Sequence, residues 1–484
     1  MKYANSNKLY INGVWKEGRS DKLYENTNPY NGEVLSTIKL ANKNDIDDAY
    51  NAALQAQKAW QETDKAEKEA IFEKAIAYME SRFEDIVNLL VEESGSSIMK
   101  ANIEVGASIA TLREASSYPA KMETKTYHSI IPGKENRVSR LPLGVVGVIV
   151  PWNFPLVLAM RSVAGAIATG NTVVLKPDLQ TYIAGGSVIV EAFEAAGLPK
   201  GVLNLVIADI EEIGDYFVEH PIPRLISFTG STSAGKHIGA IATQNLKKVI
   251  LELGGNNAFI VLDDADIEQV ASAAAFGRFL HQGQICLSVN RIIVDRKIYL
   301  PFVETFKAKV QKIKAGDPRE KDTFVGPLIN RKQVEKVLAL IEKSVSQGAK
   351  IELEGKVEGN VISPYILTDV TPDMAVAQNE IFGPVASIIP VENEEEAIEV
   401  ANASIYGLSG AVFSGSLERG LRVADQIHTG MIHVNDQSVN EEAHMPFGGE
   451  KSSGLGRFGG EFSFEEFTTV KWTSVQKQPR QFPF

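Results

Sequence analysis

From Val145 onward, short runs of β-branched and aliphatic residues alternate with stretches of helical spacing. VVGVIV, NTVVLK, GVLNLV and RLISFTG read as strands, and the near absence of polar alternation in them suits a parallel sheet covered on both faces. GGSVIVEAFEAAG between two of them reads as a crossover helix. A second alternation follows Glu252: NAFIVL, a helix expected to run through Cys286, NRIIVD, a long helix from Tyr299, then SIIPV, GAVFS and MIHVN. Upstream, from Lys43 to about Met99, Ala49, Ala53, Ala56 and Trp60 recur three or four apart, the mark of a helical lead-in. Two segments differ: Lys125 to Leu141 and FTTVKWTSVQ alternate polar and apolar positions with no helical period. Both are expected to be arm strands, and because exposed strand edges are usually capped by another chain, they read as oligomer contacts, with isolated surface hairpins as the alternative.

Length and composition sharpen this picture. At 484 residues the chain exceeds the roughly 250–300 at which a single core stops growing, so two domains are expected. Charged residues at 23% and hydrophobic ones at 44% are the balance of a soluble globular protein. A formal net charge of −12, with no Lys/Arg block to offset it, argues against nucleic acid as a partner. No apolar run approaches the roughly 18–20 residues of a membrane span, and MKYANSNKLYINGVW lacks a signal-peptide core, so a cytoplasmic protein without membrane contact is expected. One cysteine forms no intramolecular disulfide, which fits a reducing compartment. Seven scattered histidines form no HExxH and no Cys/His cluster, so no metal is expected.

Candidate chemistry sits at the strand ends. LISFTGSTSAGKHIG passes from a strand through Gly230 and Ser231 into a helix start, whose free amides favour phosphate. It is not a Walker loop, because His237 stands where Mg²⁺ needs a hydroxyl. Lys176 ends NTVVLK at the edge where ligands of open α/β sheets collect, although a solvated strand-end lysine is the commoner case. Cys286 lies in HQGQICLS, and a lone cysteine is more often a small buried hydrophobe than a nucleophile. Glu252, 34 residues earlier in ELGGNN, is a candidate base, and Asn153 in PWNFP is held between prolines as a preorganised donor.

Taken together, PWNFP (151–155), FTGST (228–232), ELGGNN (252–257), QGQIC (282–286), NEIFGP (379–384) and PFGG (446–449) resemble the aldehyde dehydrogenase superfamily in order and spacing across nearly the whole chain. The resemblance implies a Rossmann-type NAD(P)-binding domain (1–121 and 143–254), an α/β catalytic domain (255–453) and a β-strand oligomerisation arm (122–142 and 466–484) of a homodimer or homotetramer. It implies Cys286 as nucleophile activated by a lowered pKa, Glu252 as general base, and Asn153 with the Cys286 backbone N–H as oxyanion donors. For the cofactor it implies Lys176 at the adenosine ribose, Gly230 and Ser231 at the pyrophosphate, Glu380 and Phe382 at the nicotinamide riboside, with Gln333 beside them and Trp152 lining the cleft.

Two positions depart from the family pattern. Leu179 stands where NAD-preferring relatives often have a glutamate, so NAD is the first expectation with NADP open; Phe458 follows Arg457 where relatives often have a glutamate, which weakens any claim to a second base. HVNDQSVNEEAHMPFGG, GRFGG and KPDLQT resemble the benzaldehyde and vanillin dehydrogenase branch, implying an aromatic aldehyde substrate, with Phe154, Phe276, Phe279 and Phe447 as pocket walls. An aliphatic or semialdehyde substrate is the alternative within the same mechanism, and a thiol-dependent hydrolase using Cys286 and Glu252 is the alternative of another class.

Overall fold

The computed structural model describes residues 5–484. Eight strands form the first sheet, in the order Val14–Lys16, Leu9–Ile11, Leu203–Leu205, Thr172–Lys176, Val145–Ile149, Leu225–Thr229, Lys248–Glu252 and Gly454–Leu455. The five central strands are parallel. From Val145–Ile149 the chain builds outward through Thr172–Lys176 to Leu203–Leu205, then returns to lay Leu225–Thr229 on the opposite side. Strand order therefore reverses at Val145–Ile149, and such a reversal opens a crevice beyond the carboxyl ends of the strands. The register aligns those ends: Ile149 faces Lys176 and Phe228, and Thr229 faces Glu252.

The second sheet has seven strands, ordered Lys350–Leu353, Tyr365–Thr368, Val385–Val391, Val289–Asp295, Asn257–Val261, Gly410–Phe413 and His433–Val434, parallel except for the first. Asn257–Val261 and Val289–Asp295 are buried at every position. That is the burial expected of strands covered on both faces, and each fully buried Val or Ile contributes about 1.5–3 kcal/mol.

Behind the crevice runs the helix Pro155–Ala168, buried along its whole length. Pro155 suits the first helical turn, where its missing N–H has no partner to lose. A helix apolar on nearly every side belongs in a core, and this one packs between the first sheet and the helix Ile98–Ser116.

The helix expected to run through Cys286 stops at Phe279. His281, Gln282 and Gly283 then take φ of 50°, 58° and 73°, a left-handed turn that an α-helix of L-residues does not continue. The two non-glycine members cost on the order of 1–3 kcal/mol each. Packing holds them there, with the Gln282 side-chain amide donating to the carbonyls of Gly95 (3.0 Å) and Pro327 (2.8 Å).

The strands Thr124–His128, Lys134–Pro142 and Thr468–Gln476 form a third, antiparallel sheet. Its long pairing runs from Thr468 against Pro142 to Gln476 against Lys134. Tyr127, Val470 and Trp472 are exposed on it. Among the described residues, no helix is long and apolar enough to cross a membrane.

Candidate active site

Two cavities meet at the aligned strand ends. The larger, about 340 Å³, is lined by Trp152, Lys176, Gly230, Ser231, Gln333, Glu380 and Phe382, among others. The smaller, about 250 Å³, is lined largely by Phe154, Phe276, Phe447 and aliphatic side chains. Asn153, Leu158 and Cys286 line both. The sole sulfhydryl of the chain thus stands where the contents of one cavity face the contents of the other.

Local structure fixes that sulfur. The Asn257 side-chain amide donates to the carbonyls of Cys286 (2.8 Å) and Ser288 (2.8 Å), pinning the backbone on both sides of Leu287. Gly255 makes this approach possible, since a Cβ there would lie 2.4 Å from the Cys286 carbonyl oxygen. The expectation of a thiol held low is overturned by these surroundings. Burial, then the carboxyls of Glu380 and Glu252, push the Cys286 thiol well above its ordinary value, and Arg161 only partly opposes them. The thiol rests protonated, so its proton has to be taken when it attacks.

In the larger cavity, Ser231 caps the helix Thr232–Gln244, its hydroxyl accepting from the Ala234 N–H at 3.3 Å. Gly230 and Ser231, at the start of this helix, line the cavity, and a Cβ on Gly230 would come within 2.5 Å of the Phe228 ring. Lys176 is buried at its strand end, and burial lowers its pKa against the pull of Asp178 and Asp209. Glu380 accepts from the Gly255 N–H at 3.0 Å, and burial raises its carboxyl to about 7. Phe382 sits at φ 54° with its ring edge-on to Trp152, centroids 5.5 Å apart. A phosphate at the helix start, sugar hydroxyls between Lys176 and Asp178, and a second sugar with a flat ring between Glu380 and the Trp152–Phe382 pair would all fit this donor and acceptor set.

Asp178 lines the cavity and Leu179 does not. Sequence reading weighed only Leu179, although an acidic residue two positions after Lys176 was in plain view.

Glu252 ends its strand buried, with both carboxylate oxygens lacking a hydrogen-bond partner among the described residues. It borders neither cavity lining; its side chain lies against the 447–457 region, where a Cβ on Gly448 would be 2.8 Å from Oε1. Burial raises its carboxyl to about 8, with Arg161 and Arg457 opposing. Asn153 is buried, and its amide donates to the Gln284 carbonyl at 2.8 Å, which leaves the second amide hydrogen for another acceptor.

The Asn153 loop rests on a pair that sequence reading missed. Lys100 and Glu104 are fully buried, bonded to each other, and the Lys100 ammonium also donates to the Asn153 carbonyl at 2.8 Å. Glu104 accepts from the N–H groups of Leu156 (2.8 Å) and Val157 (3.4 Å), the first turn of the helix after Asn153. In sequence this is an ordinary i,i+4 pair of a surface helix. Lys100→Met should leave Glu104 buried without its cation and lower stability by about 3–5 kcal/mol, read as a shift of the urea midpoint.

Of the four phenylalanines expected in the smaller cavity, three line it. Phe279 does not: it is 0% exposed, stacked on Phe306 with centroids 6.3 Å apart in the core of the second sheet. Three residues advance about 300° around an α-helix, so Phe279 points about 60° away from Phe276 and enters the core. Arg161 and Glu441 also line this cavity and were missed. Arg161 carried a signal, being the sole charge in the otherwise uncharged PLVLAMRSVAGAIA. A buried charge demands a partner, and Glu441, 280 residues away in sequence, supplies it.

Comparison with known proteins agrees with this geometry. Residues 15–473 match the aldehyde dehydrogenase family. Over 484 residues the chain is 50% identical to benzaldehyde dehydrogenase YfmT of Bacillus subtilis, covering 100% of both. It is 47% identical to a vanillin dehydrogenase of Corynebacterium glutamicum, covering 98% of each. The crystal structure of an NAD-dependent benzaldehyde dehydrogenase from Corynebacterium glutamicum superposes with a TM-score of 0.90 at 44% identity, over 99% of this chain and 98% of that one. With motif order, sheet topology and full-length similarity in accord, this chain belongs to the aldehyde dehydrogenase family.

Proposed function

We propose that the protein oxidises aromatic aldehydes to carboxylic acids with NAD, through a thioester on Cys286. The observation that carries the reading is that Cys286 borders both cavities, one suited to a dinucleotide and the other walled by Phe154, Phe276 and Phe447. Lys176 with Asp178 would hold the adenosine ribose, Gly230 and Ser231 the pyrophosphate, and Glu380, Phe382, Gln333 and Trp152 the nicotinamide half. Asp178 favours NAD over NADP, because a carboxylate accepts from a ribose hydroxyl and repels a 2′-phosphate. NAD, when bound, supplies the hydride acceptor.

The residues of the chain do the remaining work. Cys286 Sγ bonds to the aldehyde carbon as its proton passes to water in the cavity, and the carbonyl oxygen takes the electron pair. Asn153 Nδ2 and the Cys286 backbone N–H donate to that oxygen, a preorganised donor of this kind contributing about 3–4 kcal/mol to the barrier. After hydride departs, the carbon is a thioester. Glu252, held by no hydrogen bond among the described residues, turns from its resting place toward Cys286 and takes a proton from water. The water oxygen attacks the thioester carbon, sulfur leaves, and the acid is released.

Purified protein with NAD or NADP and a panel from benzaldehyde and vanillin to short aliphatic aldehydes tests this at the absorbance of reduced nicotinamide. The expected result is fastest reduction with NAD and ring aldehydes. No reduction with any aldehyde would overturn the redox reading, and faster turnover of aliphatic aldehydes the aromatic one.

The three sheets support a division into units 1–121 with 143–254, 255–453, and 122–142 with 466–484, with the strand Gly454–Leu455 joining the first sheet from outside these ranges. The exposed Tyr127, Val470 and Trp472 support the last as a contact between copies, giving a homodimer or homotetramer. Trp472→Asp is expected to lower the sedimentation coefficient toward that of a monomer. A cytoplasmic location would keep Cys286 reduced.

A further inference from the structure

The guanidinium of Arg278 joins two loops that border the larger cavity. Arg278 is 0% exposed and stands next to last in the helix Ile267–Phe279. A cation in a last helical turn commonly serves the carbonyls of its own helix. The hydrogen bonds of Arg278 go elsewhere. Nη1 donates to the Val289 carbonyl (2.8 Å) and to Asn290 Oδ1 (3.2 Å), and Nη2 donates to the carbonyls of Gly283 (3.3 Å) and Gly383. One nitrogen thus holds a carbonyl three residues before Cys286 and another one residue after Phe382. The approach is close, since a Cβ on Gly283 would collide with both Nη2 and the Gly383 carbonyl oxygen.

Both loops carry strain at this contact. His281 and Gln282 lead into Gly283 at φ 50° and 58°, and Phe382 precedes Gly383 at φ 54°. Side chains persist in that region only where the surroundings over-determine them. Asn290 braces the same place: its Oδ1 also accepts from the Ile381 N–H (3.2 Å), and its amide donates to the Asn379 carbonyl (3.0 Å). All four acceptors of Arg278 are uncharged, and its buried Nε has no hydrogen-bond partner among the described residues. Burial lowers the guanidinium to about 9 with Glu380 opposing, so it keeps its charge at neutral pH. A buried cation on neutral acceptors is a poor source of stability, and what it gains is the fixed placing of the two loops.

Resting on the aldehyde-oxidation reading, we propose that Arg278 is a positioning residue that fixes loop 380–383 against loop 283–286, and so sets where the contents of the larger cavity stand relative to Cys286 Sγ. Hydride departs only toward an acceptor held in reach, and a misplacement of about 1 Å costs about 100-fold in rate.

Arg278→Met and Arg278→Lys test this, the second keeping the charge and a share of the donors. NAD reduction in a single turnover, with protein in excess over benzaldehyde, is expected to slow by about 100-fold in Arg278→Met and by less in Arg278→Lys. A second readout needs no cofactor. In deuterium exchange of the protein alone, peptides covering 281–285 and 379–384 should take up label about tenfold faster or more in Arg278→Met, and less so in Arg278→Lys, while the strand Val145–Ile149 exchanges as in the wild type. A single-turnover rate within about twofold of the wild type, or unchanged exchange in the two loops, would overturn the proposal. So would exchange accelerated evenly along the chain, the mark of a general loss of stability. Where Arg278→Met does not fold, Arg278→Lys decides by the same outcomes. A wild type that reduces no NAD strikes the proposed function instead, and exchange in the two loops then still reads the clamp.

Discussion

Cys286→Ala should abolish aldehyde oxidation, lowering kcat by on the order of 10⁶-fold, the loss seen when a nucleophile that acts in concert with its neighbours is removed. The side chain is the single thiol of the protein, so chemistry can be counted on it. Turnover followed at the reduced-nicotinamide absorbance should vanish in the variant, while NAD binding, read by protein fluorescence, persists because alanine leaves the lining of the larger cavity in place. Alkylation of the wild type should inactivate it in proportion to the one adduct found by mass spectrometry. That alkylation should be slow at neutral pH, since burial and the carboxyls of Glu380 and Glu252 hold the thiol protonated. Residual steady turnover in Cys286→Ala would refute the covalent route.

The second large effect belongs to Glu252. Glu252→Gln should still give a rapid burst of about one reduced nicotinamide per site, followed by a steady rate lowered by about 10²–10⁴, because thioester formation survives and its hydrolysis loses its base. The wild-type steady rate should rise with pH through about 8, where the buried carboxyl ionises, and the variant should lack that limb. Stability carries the opposite sign. With its folded value at about 8 and its ordinary value at 4.5, Glu252 keeps a proton in the folded state that the unfolded chain releases, so its contribution falls as pH rises from about 4.5 to 8. Glu252→Gln should remove that fall, visible as a smaller decline of Tm between pH 5 and 8. A variant without a burst would show that Glu252 acts before the thioester forms.

The lone Arg161 in an uncharged helix and the Asp178 beside Lys176 show where a sequence carries a signal that local reading passes over. Each residue type was visible, but its meaning depends on a surface that the chain assembles from distant segments.

What the sequence by itself determined is local or ordered along the chain. Aliphatic runs at strand length specify a parallel sheet because both of its faces must be apolar, and a period of three to four residues specifies helices. Motif order then marked Cys286, Glu252, Asn153 and Lys176, since these stand at strand ends and tight turns whose neighbours are sequence neighbours. Only the tertiary structure decided the rest. It ended the helix before Cys286, sent Phe279 into the core, paired Arg161 with Glu441, set Lys100 under Asn153, and raised the thiol that sequence reading expected to be low. Burial and pairing depend on which surfaces meet across hundreds of residues, and the free energy of a charge follows its surroundings rather than its place in the chain.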